Sequence, residues 1–514
     1  MANGFRVGAA RVDITPEDEY RMAGYSTDAQ RGKKRPGEPP LTASAFYLCD
    51  EVDSELVVCA VDLQSGTRAL WNAVASKIGE QVPQSRFVLV GSHTHTGPGQ
   101  MFGSMYDVFA QGTLRLRPDL LERTANGIAL AVKEAKRNAK PGVVSIDHIP
   151  VWGLGSNQSL AAHQNSWYGR RWNQQGFPGA QPPPGLSSLE RAVDPRLTAI
   201  RLVDEGHKLV GVLGVHGVHP TSLGDKAAYY SPDWCGVAAQ HATEQIEAEG
   251  LASDEGVVVA FGGGNMADVG PLALGGSESV RVDSEGHELN QGPALQQAIG
   301  ARMGAALVEL AQREVTATSD TRISVAHREV TIDRESDPEI GKWAFGVPTV
   351  GGSEDGPSMM SRIAREGTRR RRGDPSDPQF PKLRLLPCAL RCLFRAPPNR
   401  WPLHAIRIGS TALVTVPGEP TGLTGFAIRR ALMPQVGLYR QIRGMGHDDA
   451  RSSIAHSAFE DVCVLGYANE YAGYFTTEDE FVMQHYEGAS TLFGRHQVRR
   501  LIRELVALAD ELGP

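Results

Sequence analysis

The stretch Gly91-Ser92-His93-Thr94-His95-Thr96-Gly97-Pro98-Gly99 follows directly on an apolar run, Phe87 to Gly91. Five apolar residues in a row read as a buried strand, and the glycines and the proline end it. In extended chain, side chains two apart face the same way, so His93 and His95 are expected to converge on one cation or one substrate atom. The turn leaves both imidazoles at the end of a sheet, where α/β proteins build their sites. A lone histidine is usually structural; a His-x-His pair in this setting favours a metal.

Working outward, short runs rich in Val and Ile alternate with longer amphipathic segments, the pattern of sheets covered by helices. Strands are expected at Leu56 to Val61, Val143 to Ile149, Leu197 to Val203, Leu209 to Val215, Gly256 to Phe261 and Ala412 to Val416. Helices are expected at Pro118 to Asn138, Trp234 to Glu249, Gly292 to Arg313, Thr424 to Leu432 and Ser490 to Leu512. The fold class is α/β, with mixed sheets covered by helices in one domain over residues 1–514. Residues 164–188 and 351–399, rich in Pro and Gly, are expected to be insertions or lid loops. Trp167, Tyr168, Arg170, Arg171 and Trp172 suit a substrate-covering loop or a sticky surface one equally well. Arg369 to Arg372 read as a solvated surface segment more readily than as a grip on an anionic substrate.

Three further segments carry chemistry. His216-Gly217-Val218-His219 ends the strand Leu209 to Val215, a second histidine cluster with the same setting as the first. Imidazole suits Zn²⁺, and a catalytic zinc wants about three protein ligands and a place for water. Val416-Pro417-Gly418-Glu419 puts a carboxylate at a Pro-Gly turn, a ligand or a surface group with equal force. Gly466 to Tyr474 holds three tyrosines, a type more often found as core aromatics. Asp62, after another strand, either orients a histidine or caps a turn. His163 and His216 read as structural.

Composition bounds the function. Of 514 residues 41% are hydrophobic and 22% charged, a globular balance that excludes disorder and fibres. Net charge is −7, which repels a phosphate backbone, so no nucleic-acid partner is expected. No stretch reaches the ~18 apolar residues of a membrane span, and no leader precedes Ala9, so a cytoplasmic protein without stable membrane insertion is expected. Six scattered cysteines, Cys49, Cys59, Cys235, Cys388, Cys392 and Cys463, fit reduced, buried thiols.

Gly262-Gly263-Gly264-Asn265-Met266-Ala267 satisfies the G-x-G-x-x-A spacing of dinucleotide sites, with Asp283 about 20 residues on. Its context fails, because Gly270, Pro271, Gly275 and Gly276 deny it the helix whose N-terminus would hold a pyrophosphate. A G-x-S-x-G elbow and a Walker loop are both missing. A metal-dependent barrel hydrolase would also open on His-x-His, but would take later lone histidines and an aspartate.

These segments together resemble the catalytic domain of neutral ceramidases, zinc-dependent amidases of N-acyl sphingosine. Val7 to Pro16 is similar to the family's opening, Ser92 to Gly99 to its histidine motif and Tyr486 to Gly494 to its closing segment. The resemblance implies a metal bound by His93, His219, Glu419 and Tyr474, with His95 and Tyr486 in the active site. There His95 would move a proton and Tyr486 would stabilise an oxyanion. Two positions depart from the family: its serine falls on Gly270, in Asn265-Met266-Ala267-Asp268-Val269-Gly270-Pro271, and its active-site arginine on Gln158. Both are expected to face substrate, and both losses point away from ceramide to a soluble small molecule. The family's C-terminal β-sandwich has no counterpart in the 514 residues. The expected function is zinc-dependent hydrolysis of an amide, ester or lactone bond by metal-activated water. The alternatives are a non-hydrolytic metal enzyme (a cyclase, lyase or acyl transferase) and a non-catalytic metal-bearing binding protein.

Overall fold

The structure, a computed structural model, describes residues 4–513 other than 26–29, 110–115, 176, 178–179, 272–289, 316–321, 353–357, 359, 386–395 and 434–458. Its frame is an eight-stranded mixed sheet. The strands are β1 (Phe5–Asp13), β2 (Thr42–Asp50), β3 (Glu55–Val61), β4 (Phe87–Gly91), β5 (Lys140–Pro150), β6 (Arg196–Asp204), β7 (Leu209–His216) and β8 (Val258–Gly263). They lie in the order β8-β7-β6-β5-β1-β2-β3-β4, antiparallel except at the two edges, where β7 runs parallel to β8 and β3 to β4. A second sheet holds β9 (Ile323–Thr331), β10 (Arg400–Ile408), β11 (Thr411–Thr415) and β12 (Asp461–Leu465), with only its last pair parallel.

Period-two alternation sorts the side chains into layers. On β3, Val57, Cys59 and Val61 face α1 (Arg68–Ile78) and α2 (Pro118–Arg137), whereas Leu56, Val58 and Ala60 face the second sheet. Ile406, Leu413, Cys463 and Leu465 reply from that sheet. Each such Val, Leu or Ile, fully buried, contributes about 1.5–3 kcal/mol. Helices α3 (Trp234–Ala248) and α4 (Pro293–Gln312) cover the β5–β8 half of the large sheet. Helices α5 (Gly422–Leu432) and α6 (Gln497–Glu511) back the small one. The result is four layers: helix, sheet, sheet, helix.

The large sheet is strongly curled. Val90 on β4 and Gly262 on β8, at opposite edges, meet so closely that a Cβ on Gly262 would lie 3.2 Å from Val90 Cγ1. Five reversals of direction separate β4 from β7, so a flat sheet would leave their carboxyl ends at opposite margins. Twist of roughly 20–25° per strand step, accumulated from β4 to β7, swings those ends together. This curl positions the site.

All the expected strands and helices are present, with shifted ends, and several elements are additional. Central strands β1 and β2 escape an apolar-run reading because Arg6, Arg11 and a series of small residues interrupt them. Gly8 on β1 has no room for a side chain, since a Cβ would sit 2.2 Å from the Ala135 carbonyl oxygen on α2. The expected helix from Ser490 is corrected to two, Tyr486–Ser490 and α6 from Gln497. Gly494 at φ +99° separates them. Residues 164–188 are not simply loop: Trp167–Gln175 is helical, and Tyr168 and Trp172, one turn apart, are buried against Phe426. Asp62 accepts hydrogen bonds from the Thr42 N–H and hydroxyl, both at 2.8 Å, and so ties β2 to the end of β3. Cys49, Cys59, Cys235 and Cys463 are buried free thiols; Cys388 and Cys392 lie outside the described residues.

Candidate metal centre

The strand Phe87–Gly91 ends as expected, but His93 and His95 do not meet through extended chain. His93 takes φ +74°, a left-handed turn that an L-residue adopts only under constraint. Its N–H donates to the Leu63 carbonyl at 2.9 Å, and its Nδ1 lies 2.7 Å from the Gln64 carbonyl oxygen. A carbonyl can only accept, so the ring proton sits on Nδ1 and Nε2 carries a free lone pair. His219, three residues past β7, repeats the device, with Nδ1 3.2 Å from the Val269 carbonyl oxygen.

Both Nε2 atoms face one carboxylate oxygen. Glu419 Oε2 lies 3.5 Å from His93 Nε2 and 3.4 Å from His219 Nε2, in a site where both Glu419 and His93 are almost fully buried. Oε2 has no hydrogen-bond donor among the described residues. Oε1 is occupied instead, accepting from the Tyr471 hydroxyl. Three lone pairs thus converge with no proton between them, an arrangement that a divalent cation satisfies and that burial otherwise penalises. His95 completes the group: its Nε2 is 3.2 Å from that of His93, and one ligand atom from each of His93, His95 and His219 falls within 4.8 Å of the others.

Electrostatics follow from burial. Desolvation lowers the His93 pKa and, with the neighbouring His93 and His219 charges, takes His95 well below the ordinary histidine value, so both are neutral at pH 7. Burial pushes the Glu419 carboxyl up, and only charged imidazoles at His93 and His219 would bring it below the usual carboxylate range. Burial and the Glu419 charge raise the Tyr474 phenol well above its ordinary value. Burial pushes Tyr486 up to about 12.

The remaining expected residues surround this group. Tyr474 pairs in parallel with Glu419 through the backbone, and its ring lies 5.3 Å from that of Tyr486. Gly270 follows the carbonyl that holds His219 and pairs with Ser156; the neighbouring Gln158 N–H donates to the Asp268 carbonyl. His163 and His216 are buried outside the group, His163 against Trp172.

Sequence reading missed the supports. Tyr467 lies over His93, ring centroids 4.0 Å apart, and a Cβ on Gly263 would fall 2.4 Å from the Tyr467 ring. The glycine that ends β8 therefore serves close packing rather than a phosphate. Val269–Gly270 is extended, and Asp283 lies outside the described residues. Gly24, at φ +100°, leaves space for the His95 ring, whose Cγ would be 2.4 Å from a Cβ there. Only the tyrosine-rich run Gly466 to Tyr474 signalled these contacts in the sequence.

Imidazoles and a carboxylate gathered at strand ends of a four-layer α/β fold make the kind of centre that hydrolytic enzymes use. The sequence profile of neutral/alkaline non-lysosomal ceramidases, N-terminal region, matches residues 5–503, and the chain belongs to that family of amide hydrolases. It is 26% identical to a neutral ceramidase of Mycobacterium tuberculosis, over 98% of this chain and 77% of that protein. It is also 26% identical to one of Pseudomonas aeruginosa, over 95% and 69%. The crystal structure of neutral ceramidase from Pseudomonas aeruginosa superposes with a TM-score of 0.75 at 23% identity, covering 100% of this chain and 75% of that one. A ceramidase complexed with C2 gives a TM-score of 0.74.

Proposed function

We propose that the chain is a zinc-dependent hydrolase of an amide, ester or lactone bond in a small molecule other than ceramide. The observation that carries this reading is the unpartnered, buried Glu419 Oε2 facing two imidazole Nε2 atoms. His93, His219 and Glu419 would hold the ion, with Tyr474 as fourth ligand. When bound, zinc lowers the pKa of a nearby water and polarises an acyl oxygen.

The side chains divide the remaining work. His95, kept neutral by its surroundings, takes a proton from the attacking water and returns it to the leaving group. Tyr486 stays protonated and donates a hydrogen bond to the oxygen that gains charge. Gly270 supplies no hydroxyl and Gln158 no positive charge, so nucleophile and orientation must come from water and substrate shape. That supports a substrate class different from the ceramide named for the relatives.

Metal analysis of purified protein, with turnover of soluble N-acyl compounds and lactones followed by mass spectrometry, tests the reading. About one zinc per chain, hydrolytic products and their loss in His93→Ala are expected. Rearranged or eliminated products without uptake of water would replace hydrolysis by the cyclase or lyase alternative. Metal without turnover would leave a binding protein.

A further inference from the structure

Among the described residues the large apolar side chains most exposed to water are Val52, Leu130, Met360, Ile363 and Leu383. Two of these five, Met360 and Ile363, come from one surface segment. Ile363 is 76% exposed and Met360 48%. Residues 358–372 contain six arginines and a single glutamate, followed by Asp374 and Asp377, in a chain whose net charge is −7. Arg370 is paired with Asp377. Arg362, Arg365, Arg369, Arg371 and Arg372 have no carboxylate partner among the described residues. A bridge between Arg369 and Lys382 brings Leu383 alongside the same run.

The segment is fixed to the rim of the site. The Tyr486 N–H donates to Glu366 Oε1 at 3.2 Å, the Gly367 N–H donates to the Gln484 carbonyl at 2.9 Å, and the Arg369 guanidinium donates to the Val482 carbonyl at 2.6 Å. The basic, apolar-tipped turn therefore moves with the backbone that carries Tyr486.

We infer that this turn docks the protein on the surface of an anionic lipid bilayer, with Met360 and Ile363 entering the headgroup region and Arg362, Arg365, Arg371 and Arg372 meeting lipid phosphates. Exposed apolar tips ringed by unpaired cations are the two signals that reversible interfacial binding requires. A nucleic acid would neutralise the arginines but leave Met360 and Ile363 in water. Docking here presents the Tyr486 side of the centre to molecules at the membrane surface without inserting any chain across it. No described helix is long and apolar enough to cross a membrane.

The test is co-sedimentation of the full chain with phosphatidylcholine vesicles made with and without phosphatidylglycerol. Binding is expected only with the anionic lipid, and to fall as salt rises. Arg362→Ala and Arg365→Ala should each weaken it about fivefold, and Ile363→Asp about tenfold or more. Leu130→Asp, an equally simple surface change elsewhere, should leave it intact. All four variants should melt like wild type and turn over a water-soluble substrate unchanged, so this result stands apart from the hydrolase reading. Equal binding to both vesicle types, no binding to either, or Ile363→Asp binding like wild type would overturn the proposal.

Discussion

Replacing Tyr471 by phenylalanine is the sharpest probe of how the centre is held. The Tyr471 hydroxyl, itself buried, donates to Glu419 Oε1 and thereby turns Oε2 toward His93 and His219. In Tyr471→Phe that oxygen is left inside the protein without a donor, at a cost of about 1–3 kcal/mol. At about 1.4 kcal/mol per decade, this amounts to roughly 5- to 150-fold. Removing a group that orients a metal ligand typically weakens the metal by about 10–100-fold, the same range. Competition against a chromophoric chelator measures the metal affinity directly, and a metal titration of activity gives an independent value. A fall of one to two decades in affinity, with turnover at saturating metal largely kept, is the expected pattern. Unchanged affinity in a folded variant would refute the claim that Tyr471 sets the Glu419 carboxylate, and with it the assignment of Oε2 to the cation.

Gly24→Ala should displace the His95 ring, because the added methyl has no room and φ +100° suits only glycine; a misplacement of about 1 Å costs on the order of 10²-fold in rate. Wild-type kinetics in that variant would place His95 outside the reaction. Asp194 and Arg429 form a buried pair, Oδ2 to guanidinium 2.6 Å, so Asp194→Asn strands a charge and should cost about 3–5 kcal/mol, read from urea unfolding. His163, held by burial at about 3, stays neutral in the folded chain between its ordinary value of about 6.5 and that point, while the unfolded chain takes up a proton. Stability should therefore fall as pH drops through this window, by up to about 1.4 kcal/mol per pH unit for this group. Unfolding curves of His163→Gln should be flatter by that amount.

The amino-acid pattern alone determined that strands are buried and covered by helices, because apolar runs and amphipathic periods are local consequences of which faces are dry. It also marked the chemistry-bearing turns at His93, His219 and Glu419, since Gly and Pro end strands wherever they stand, and the family likeness came from the His93 turn together with the opening and closing segments. What it misjudged were contacts between distant segments. Extended geometry at His93 was the natural expectation, and only the pull of the Leu63 and Gln64 carbonyls on one residue explains its left-handed turn. Gly263 fitted a phosphate-binding pattern until Tyr467, some two hundred residues later, filled the space above it. The meeting of His93 with His219 depended on the curl of eight strands, a twist accumulated across the whole sheet. No window of sequence contains that sum, so it could be decided only by the assembled tertiary structure.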